Sequence, residues 1–180
     1  MSGAPDASVL PGRRCKSRPR AVRLRCGTRD RPVIRGSRVY GGGDIMANMT
    51  GGCLCGRVRY SVSADPVFSG ICHCRNCQRY TGSAFEPVIG VASAAVSVQG
   101  EMRTYEDTGD SGKPVHRRFC PNCGSGIVSE VDVMPGMTMI LAGTLDEPAQ
   151  FTPVMEIYCD SAQPWVHADG ARQRFPKMPG

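Results

Sequence analysis

Gly51-Gly52-Cys53-Leu54-Cys55-Gly56 and, much later in the chain, Phe119-Cys120-Pro121-Asn122-Cys123-Gly124 carry two cysteine pairs of complementary spacing. In the C-x-x-C-G sequence, two sulfurs three residues apart can face one cation. The glycine that follows can take φ > 0 and let the backbone fold beneath them. A C-x-C pair on extended chain is a poor disulfide, but both of its thiolates can turn to a single ion. Backbone N–H groups in such turns can donate to the sulfurs. Cys72-His73-Cys74-Arg75-Asn76-Cys77 forms a third cluster, so seven of the ten cysteines lie in three short stretches.

Counting ligands suggests a division of labour. Closed, tetrahedral structural zinc takes four ligands, and Cys53, Cys55, Cys120 and Cys123 supply them. Such an ion would staple the first strand of the domain to a later hairpin. Structural zinc contributes roughly 10–16 kcal/mol of apparent folding free energy in small domains, which matters in a chain with only 6% aromatic residues. Cys72, Cys74 and Cys77 supply three thiolates, and three protein ligands with an open fourth position suit catalytic zinc. Two alternatives stay open. Cys74 and Cys77 have the spacing of a redox dithiol, although no βαβ pattern surrounds them. Both zinc sites could also be purely structural, with His73 completing the second. On an extended segment, however, His73 points away from its cysteine neighbours. Cys15, Cys26 and Cys159 have no partner spacing, and Cys159 reads as a small buried residue.

Around these clusters the chain reads as short strands. Arg57 to Ser63 alternates strictly, placing Val58, Tyr60 and Val62 on one half-buried face. Further strands are predicted at 96–98, 104–105, 115–119, 127–131, 137–141 and 154–158. Turn signals at Gly100, 108–112, Pro135-Gly136 and 146–148 separate them. Only 74–80 has the look of a helical turn. Met134, Met137 and Met139 read as core filler, and Trp165, the single tryptophan, reads as a cover over the edge of the core. The expected fold is therefore mainly β, with short antiparallel strands.

The 180 residues carry a net charge of +6, but residues 1–45 alone hold +8 and the rest −2. The segment 1–46 is Arg-rich, interrupted by Pro and Gly, and without hydrophobic period, which is the composition of a disordered extension. It ends at Met46, just before the first cysteine cluster, as a misplaced start would. The domain itself is expected over 49–168, with 169–180 as a C-terminal tail. Its near-neutral charge and lack of aromatic–basic interleaving argue against nucleic-acid binding by the folded part. No apolar run approaches the ~18 residues that span a bilayer, and no secretory h-region is present. The expected setting is cytoplasmic, with no membrane partner.

The order of Gly51–Gly56, Cys72–Cys77, Thr81-Gly-Ser-Ala-Phe85, Phe119–Gly124, Ala142-Gly-Thr-Leu-Asp146 and Pro164-Trp165 resembles the glutathione-dependent formaldehyde-activating (GFA) family, also called the CENP-V/GFA domain. The resemblance runs from about Thr50 to Trp165. It implies a β-tent fold with two zinc ions per chain, one structural on Cys53, Cys55, Cys120 and Cys123, and one labile and catalytic on Cys72, Cys74 and Cys77. It also implies a carbon–sulfur lyase that adds glutathione or a similar thiol to formaldehyde or another small aldehyde. Glutathione carries carboxylates, so Arg75, Arg79, Lys113, Arg117 and Arg118 are candidate cations near the mouth, each also readable as an ordinary solvated charge. A zinc-stabilised interaction module and a thiol redox or metal-buffering protein are the competing functions. Two tightly held zincs would mark the module, one tight and one labile the enzyme, and none with oxidised pairs the redox protein.

A chain starting at Met46 is expected to keep the solubility and zinc content of the full chain, as measured by mass spectrometry. Loss of soluble, zinc-bound protein on that truncation would give the basic segment a structural role.

Overall fold

The computed structural model describes residues 49–167 and 170–179. The basic segment 1–46, with Cys15 and Cys26, lies outside the described residues. Two sheets carry the architecture. The smaller has three antiparallel strands in the order β1 (Met49–Gly52), β2 (Arg59–Val62), β5 (Val96–Gln99). The larger has eight strands and also contains β3 (Phe68–Cys72), β4 (Glu86–Ala92), β6 (Arg103–Thr108), β7 (Pro114–Phe119), β8 (Gly126–Val131), β9 (Met137–Leu141), β10 (Met155–Ile157) and β11 (Gln173–Arg174). Its order is β11-β10-β3-β4-β9-β8-β7-β6. All pairs are antiparallel except those of β10, which runs parallel to both β3 and β11. The one α-helix among the described residues, α1 (Arg75–Thr81), follows β3 within the second cysteine cluster.

Alternation decides which residues meet. Val58, Tyr60 and Val62 are all buried on one face, as their spacing predicts. They pack against Ile89, Val91, Ile127, Val128 and Ile140 of the large sheet, so the main core lies between the two sheets. Each such side chain contributes ~1.5–3 kcal/mol when fully buried. The sequence pattern finds β2 and β5 to β10 but not β3 or β4. Residues 86–92 read Glu-Pro-Val-Ile-Gly-Val-Ala, and this strand is buried on both faces, so it shows no alternation.

The opposite face of the large sheet carries different chemistry. On β4, Ile89 and Val91 enter the core, whereas Glu86 and Val88 face a cavity on the other side. Across the register Glu86 pairs with Cys72, and Cys72 with Ile157. Arg117 pairs with Ser129, and Ser129 with Met139. Phe68 pairs with Gly90, where an added Cβ would lie 2.3 Å from the ring, so the phenyl group lies flat across the glycine. Met139 is buried, in keeping with its reading as filler, but it fills the wall of this cavity.

The C-terminal stretch that composition sets apart as a tail adds β11 to the sheet edge and lines the cavity with Pro176, Lys177 and Met178. A buried charge cluster holds it there. Glu156 of β10 accepts from Arg172 Nε (2.8 Å) and Arg174 Nη1 (2.6 Å), and its Oε2 lies 3.0 Å from His73 Nε2.

At the small sheet, Gly51 leaves room for Tyr60, whose hydroxyl lies 2.9 Å from Thr144 Oγ1. Thr144 in turn donates to the Leu141 carbonyl at 2.7 Å, so the phenol is the donor to Thr144. A Cβ at position 51 would sit 2.2 Å from that hydroxyl and 2.4 Å from the Thr144 carbonyl oxygen. Gly51→Ala is therefore expected to destabilise the domain by about 1–3 kcal/mol, the usual cost of overpacking. An unchanged midpoint in urea unfolding would refute this packing.

Candidate metal centres and their cavity

The first cysteine group forms where the β1–β2 turn meets the β7–β8 turn. The sulfurs of Cys53, Cys55, Cys120 and Cys123 all lie within 4.8 Å of one another. Cys53 and Cys55 are 3.4 Å apart, and Cys55 and Cys120 3.7 Å. These separations exclude disulfides, whose sulfurs are ~2.05 Å apart. They approach the roughly 3.8 Å edge of a sulfur tetrahedron around zinc at about 2.3 Å. Gly124 takes φ 75° immediately after Cys123, and its N–H donates to the Cys120 carbonyl at 2.9 Å, which closes the knuckle.

Partners for charged sulfur are already in place there. The Val58 N–H donates to Cys53 Sγ at 3.2 Å, and Ser125 Oγ lies 3.3 Å from Cys123 Sγ. Burial works against charge on Cys53, yet the Val58 N–H and the neighbouring thiols hold it below the usual thiol range. The Ser125 hydroxyl brings Cys123 down to about 5. A set of four soft donors with such partners fits a closed metal site.

The second group is built by a strand running into a helix. Cys72 ends β3, Cys74 caps α1, and Cys77 lies in its first turn, where the Cys77 N–H donates to Cys74 Sγ at 3.3 Å. The three sulfurs lie within 4.8 Å of one another. Hydrogen bonds from the Cys72 and Cys77 thiols hold Cys74 far below the ordinary thiol range. The same contact with Cys74 pushes Cys72 up to about 12, and contact with Cys72 and Cys74 raises Cys77. The three thiols thus share protons among themselves, and a bound cation would release them.

His73 points away from these sulfurs, as alternation on an extended segment predicts, into the Glu156 cluster. Cys159 is only partly buried, and its ligand atom lies within 4.8 Å of those of His73 and Glu156. The two arginines on Glu156 already meet its charge.

All three cysteines of the second group line a cavity of about 600 Å³. Glu86 and Arg117 lie beside them and carry the main departure from the sequence reading. Arg117 is not a solvated surface charge: it is 5% exposed, with Nε 2.9 Å from Asp107 Oδ2 and Nη1 3.4 Å from Glu86 Oε2. Its Nη2 lies 3.9 Å from Cys77 Sγ, and its guanidinium stacks 4.8 Å from the centre of the Tyr80 ring. Glu86 is 2% exposed, and burial pushes its carboxyl above the usual range. Its Oε1 has no hydrogen-bond partner, nor does the hydroxyl of Ser129, a second cavity residue.

Glu86 escapes sequence reasoning because it opens a strand that shows no alternation. The remaining candidate cations divide. Arg75 lines the cavity, Arg79 does not, Lys113 is exposed, and Arg118 pairs with Glu130 at 2.7 Å. Trp165 does not cover the core. It is 66% exposed and lines an open surface shelf with Arg75, Arg79 and Gln163.

The family model of the GFA family, the glutathione-dependent formaldehyde-activating enzymes, matches residues 48–161. The chain belongs to this family. The match takes in both cysteine groups of this GFA protein. Among solved structures, the chain is similar to a Rhodobacter sphaeroides protein determined by a structural genomics programme. The two share 16% identity and a TM-score of 0.46 over 71% of this chain and 99% of that one. No curated protein matches it. Among the described residues, no helix is long and apolar enough to cross a membrane.

Arg117→Met is expected to lower stability by about 3–5 kcal/mol, the cost of leaving buried charges without their partner. Adding Glu86→Gln should restore part of the loss. Unfolding midpoints of the two variants check this, and an unchanged midpoint for the single variant would remove Arg117 from the buried network.

Proposed function

We propose that this protein is a zinc-dependent enzyme of the carbon–sulfur lyase type. It would add a thiol, glutathione or a similar one, to formaldehyde or another small aldehyde. The observation that carries this reading is the opening of Cys72, Cys74 and Cys77 onto a cavity, while the other four cysteines close on themselves. In this reading Cys53, Cys55, Cys120 and Cys123 hold a structural zinc, and Cys72, Cys74 and Cys77 hold a second, labile one. With an open position, the second zinc would supply activation of a thiol as thiolate or polarisation of an aldehyde oxygen. Three thiolates already give that site a net negative charge, which favours thiol delivery over strong Lewis acidity.

The chain's own residues account for the rest of the step. The thiol gives up its proton, its sulfur bonds to the aldehyde carbon, the carbonyl π pair moves to oxygen, and that oxygen takes up a proton, so the S–H bond lost is matched by the O–H bond of the adduct's hydroxyl. Glu86 and Ser129 line the cavity and carry buried oxygens without partners, which a side-chain rotation would turn to such a hydroxyl. Arg117 sets a positive charge against Cys77 and steadies the thiolate set. The apolar walls limit water, which would otherwise compete for the aldehyde. Thiols must stay reduced for this chemistry, and the described cysteines are all free, so a cytoplasmic setting belongs to the same reading.

Cys74→Ser should lower zinc below that of the wild type while leaving a cooperative fold, and should abolish acceleration of S-hydroxymethylglutathione formation over the spontaneous rate. Cys120→Ser should instead unfold the domain, because metal binding and folding are coupled at a closed site. Zinc per chain by native mass spectrometry, thermal melts and the rate together check the pair. Undiminished acceleration in zinc-depleted Cys74→Ser would point to a structural role for both sites.

A further inference from the structure

The cavity beside the second cysteine group is poorly matched to formaldehyde and glutathione. At about 600 Å³ it is in the range of pockets that enclose whole organic ligands, whereas formaldehyde is little larger than a water molecule. Its walls are largely apolar, with Phe68, Val88, Val131, Met134, Met139 and Ile157 facing inward from five strands and the β8–β9 turn. Glutathione is a poor match to these walls, because it carries two carboxylates and an ammonium group. Of the cavity's cations, Arg117 is committed to Asp107 and Glu86, Lys177 lies 3.7 Å from Asp110, and Arg75 donates to the neutral Gln78 side chain. The acids Glu86, Asp110 and Asp160 also line it and would repel carboxylates.

Within these walls, Glu86 Oε1 and Ser129 Oγ are buried and without hydrogen-bond partners. Buried polar atoms in native proteins are nearly always paired. Both residues line the cavity, and a side-chain rotation would turn these covered oxygens to the polar group of a ligand with an apolar body. Gly90 adds to the shape, because only a residue without Cβ lets the Phe68 ring lie flat and leave the cavity open.

Building on the function proposed above, we infer that this site is specific for a carbon–sulfur adduct that bears an apolar chain of about four to eight carbons. The chain packs between Phe68, Val88, Val131, Met134, Met139 and Ile157, and the adduct's hydroxyl meets Glu86 and Ser129. The apolar chain can enter on the aldehyde or on the thiol.

The test uses the full chain and separates binding from catalysis. Hexanamide, an unreactive probe with an N–H donor and a five-carbon tail, is titrated by calorimetry against acetamide. Hexanamide is expected to bind at least tenfold more tightly, since each buried methylene adds favourably. Met134→Trp fills the cavity from a partly exposed turn, and it should remove at least tenfold of that affinity with the melting temperature retained. Ser129→Ala, a smaller change at the polar end, should weaken hexanamide binding with the melting temperature retained. Equal, weak binding of the two amides would overturn the inference.

Two rate series, both against the spontaneous reaction, identify the source of the chain. Glutathione is paired with aldehydes from formaldehyde to octanal, and formaldehyde with thiols from mercaptoethanol to octanethiol. A rise with length in either series supports the inference and assigns the chain to that partner. Acceleration confined to formaldehyde with glutathione overturns it and leaves the proposed function standing. Tight hexanamide binding without acceleration in either series sinks the thiol–aldehyde chemistry and leaves the apolar site intact.

Discussion

Four sulfur atoms from positions 53, 55, 120 and 123 meet within 4.8 Å, and the rest of the domain is arranged around that meeting. It ties the first turn of the small sheet to the β7–β8 turn of the large one, and so fixes how the two sheets face each other. Crowded thiols repel as they ionise, so the convergence is favourable when a cation draws on all four. The Val58 N–H and the Ser125 hydroxyl, each beside a sulfur, serve the charged form. The apolar residues between the sheets, Ile89, Ile127 and Ile140 among them, then pack beneath a join already held at one end.

With one face of the large sheet committed to that core, the chemistry is left to the other. A strand gives its residues alternately to the two sides, so β4 can put Ile89 and Val91 into the core and Glu86 and Val88 into the cavity. The turn from β3 into α1 then brings Cys72, Cys74 and Cys77 to the cavity wall. The remaining wall comes from the far end of the chain, because β10 and β11 carry residues 176–178 over it.

Two buried polar networks hold this second face in place, and they differ in kind. Glu156 is fully partnered by Arg172, Arg174 and His73, which suits a strut between β3, β10 and β11. Glu86 is only half satisfied: Arg117 meets one oxygen and the other has no partner. Satisfied carboxylates such as Glu156 rigidify a fold; each network nevertheless keeps one buried atom without a partner, His73 Nδ1 in the first and Glu86 Oε1 in the second, and only the second belongs to a residue of the cavity wall.

The sequence by itself determined the mainly β class, seven of the eleven strands among the described residues, the position of α1 and the grouping of seven cysteines into three clusters. These are local properties: period-two burial marks β2, and the knuckle spacing with its left-handed Gly124 acts over five residues. The family, too, was legible from the order of those clusters. Ligand counting proposed the division of these cysteines into a set of four and a set of three, and the tertiary structure decided that the set of three lines a cavity. It also decided that Arg117 is buried and that Trp165 is exposed. β3 and β4 were hidden because strands buried on both faces show no alternation. Glu86 and Ser129 were hidden because nothing near them in the chain sets them apart. They acquire meaning only where pairing across β3, β4, β7, β8 and β9 brings them into the wall of the cavity that Cys72, Cys74 and Cys77 also line.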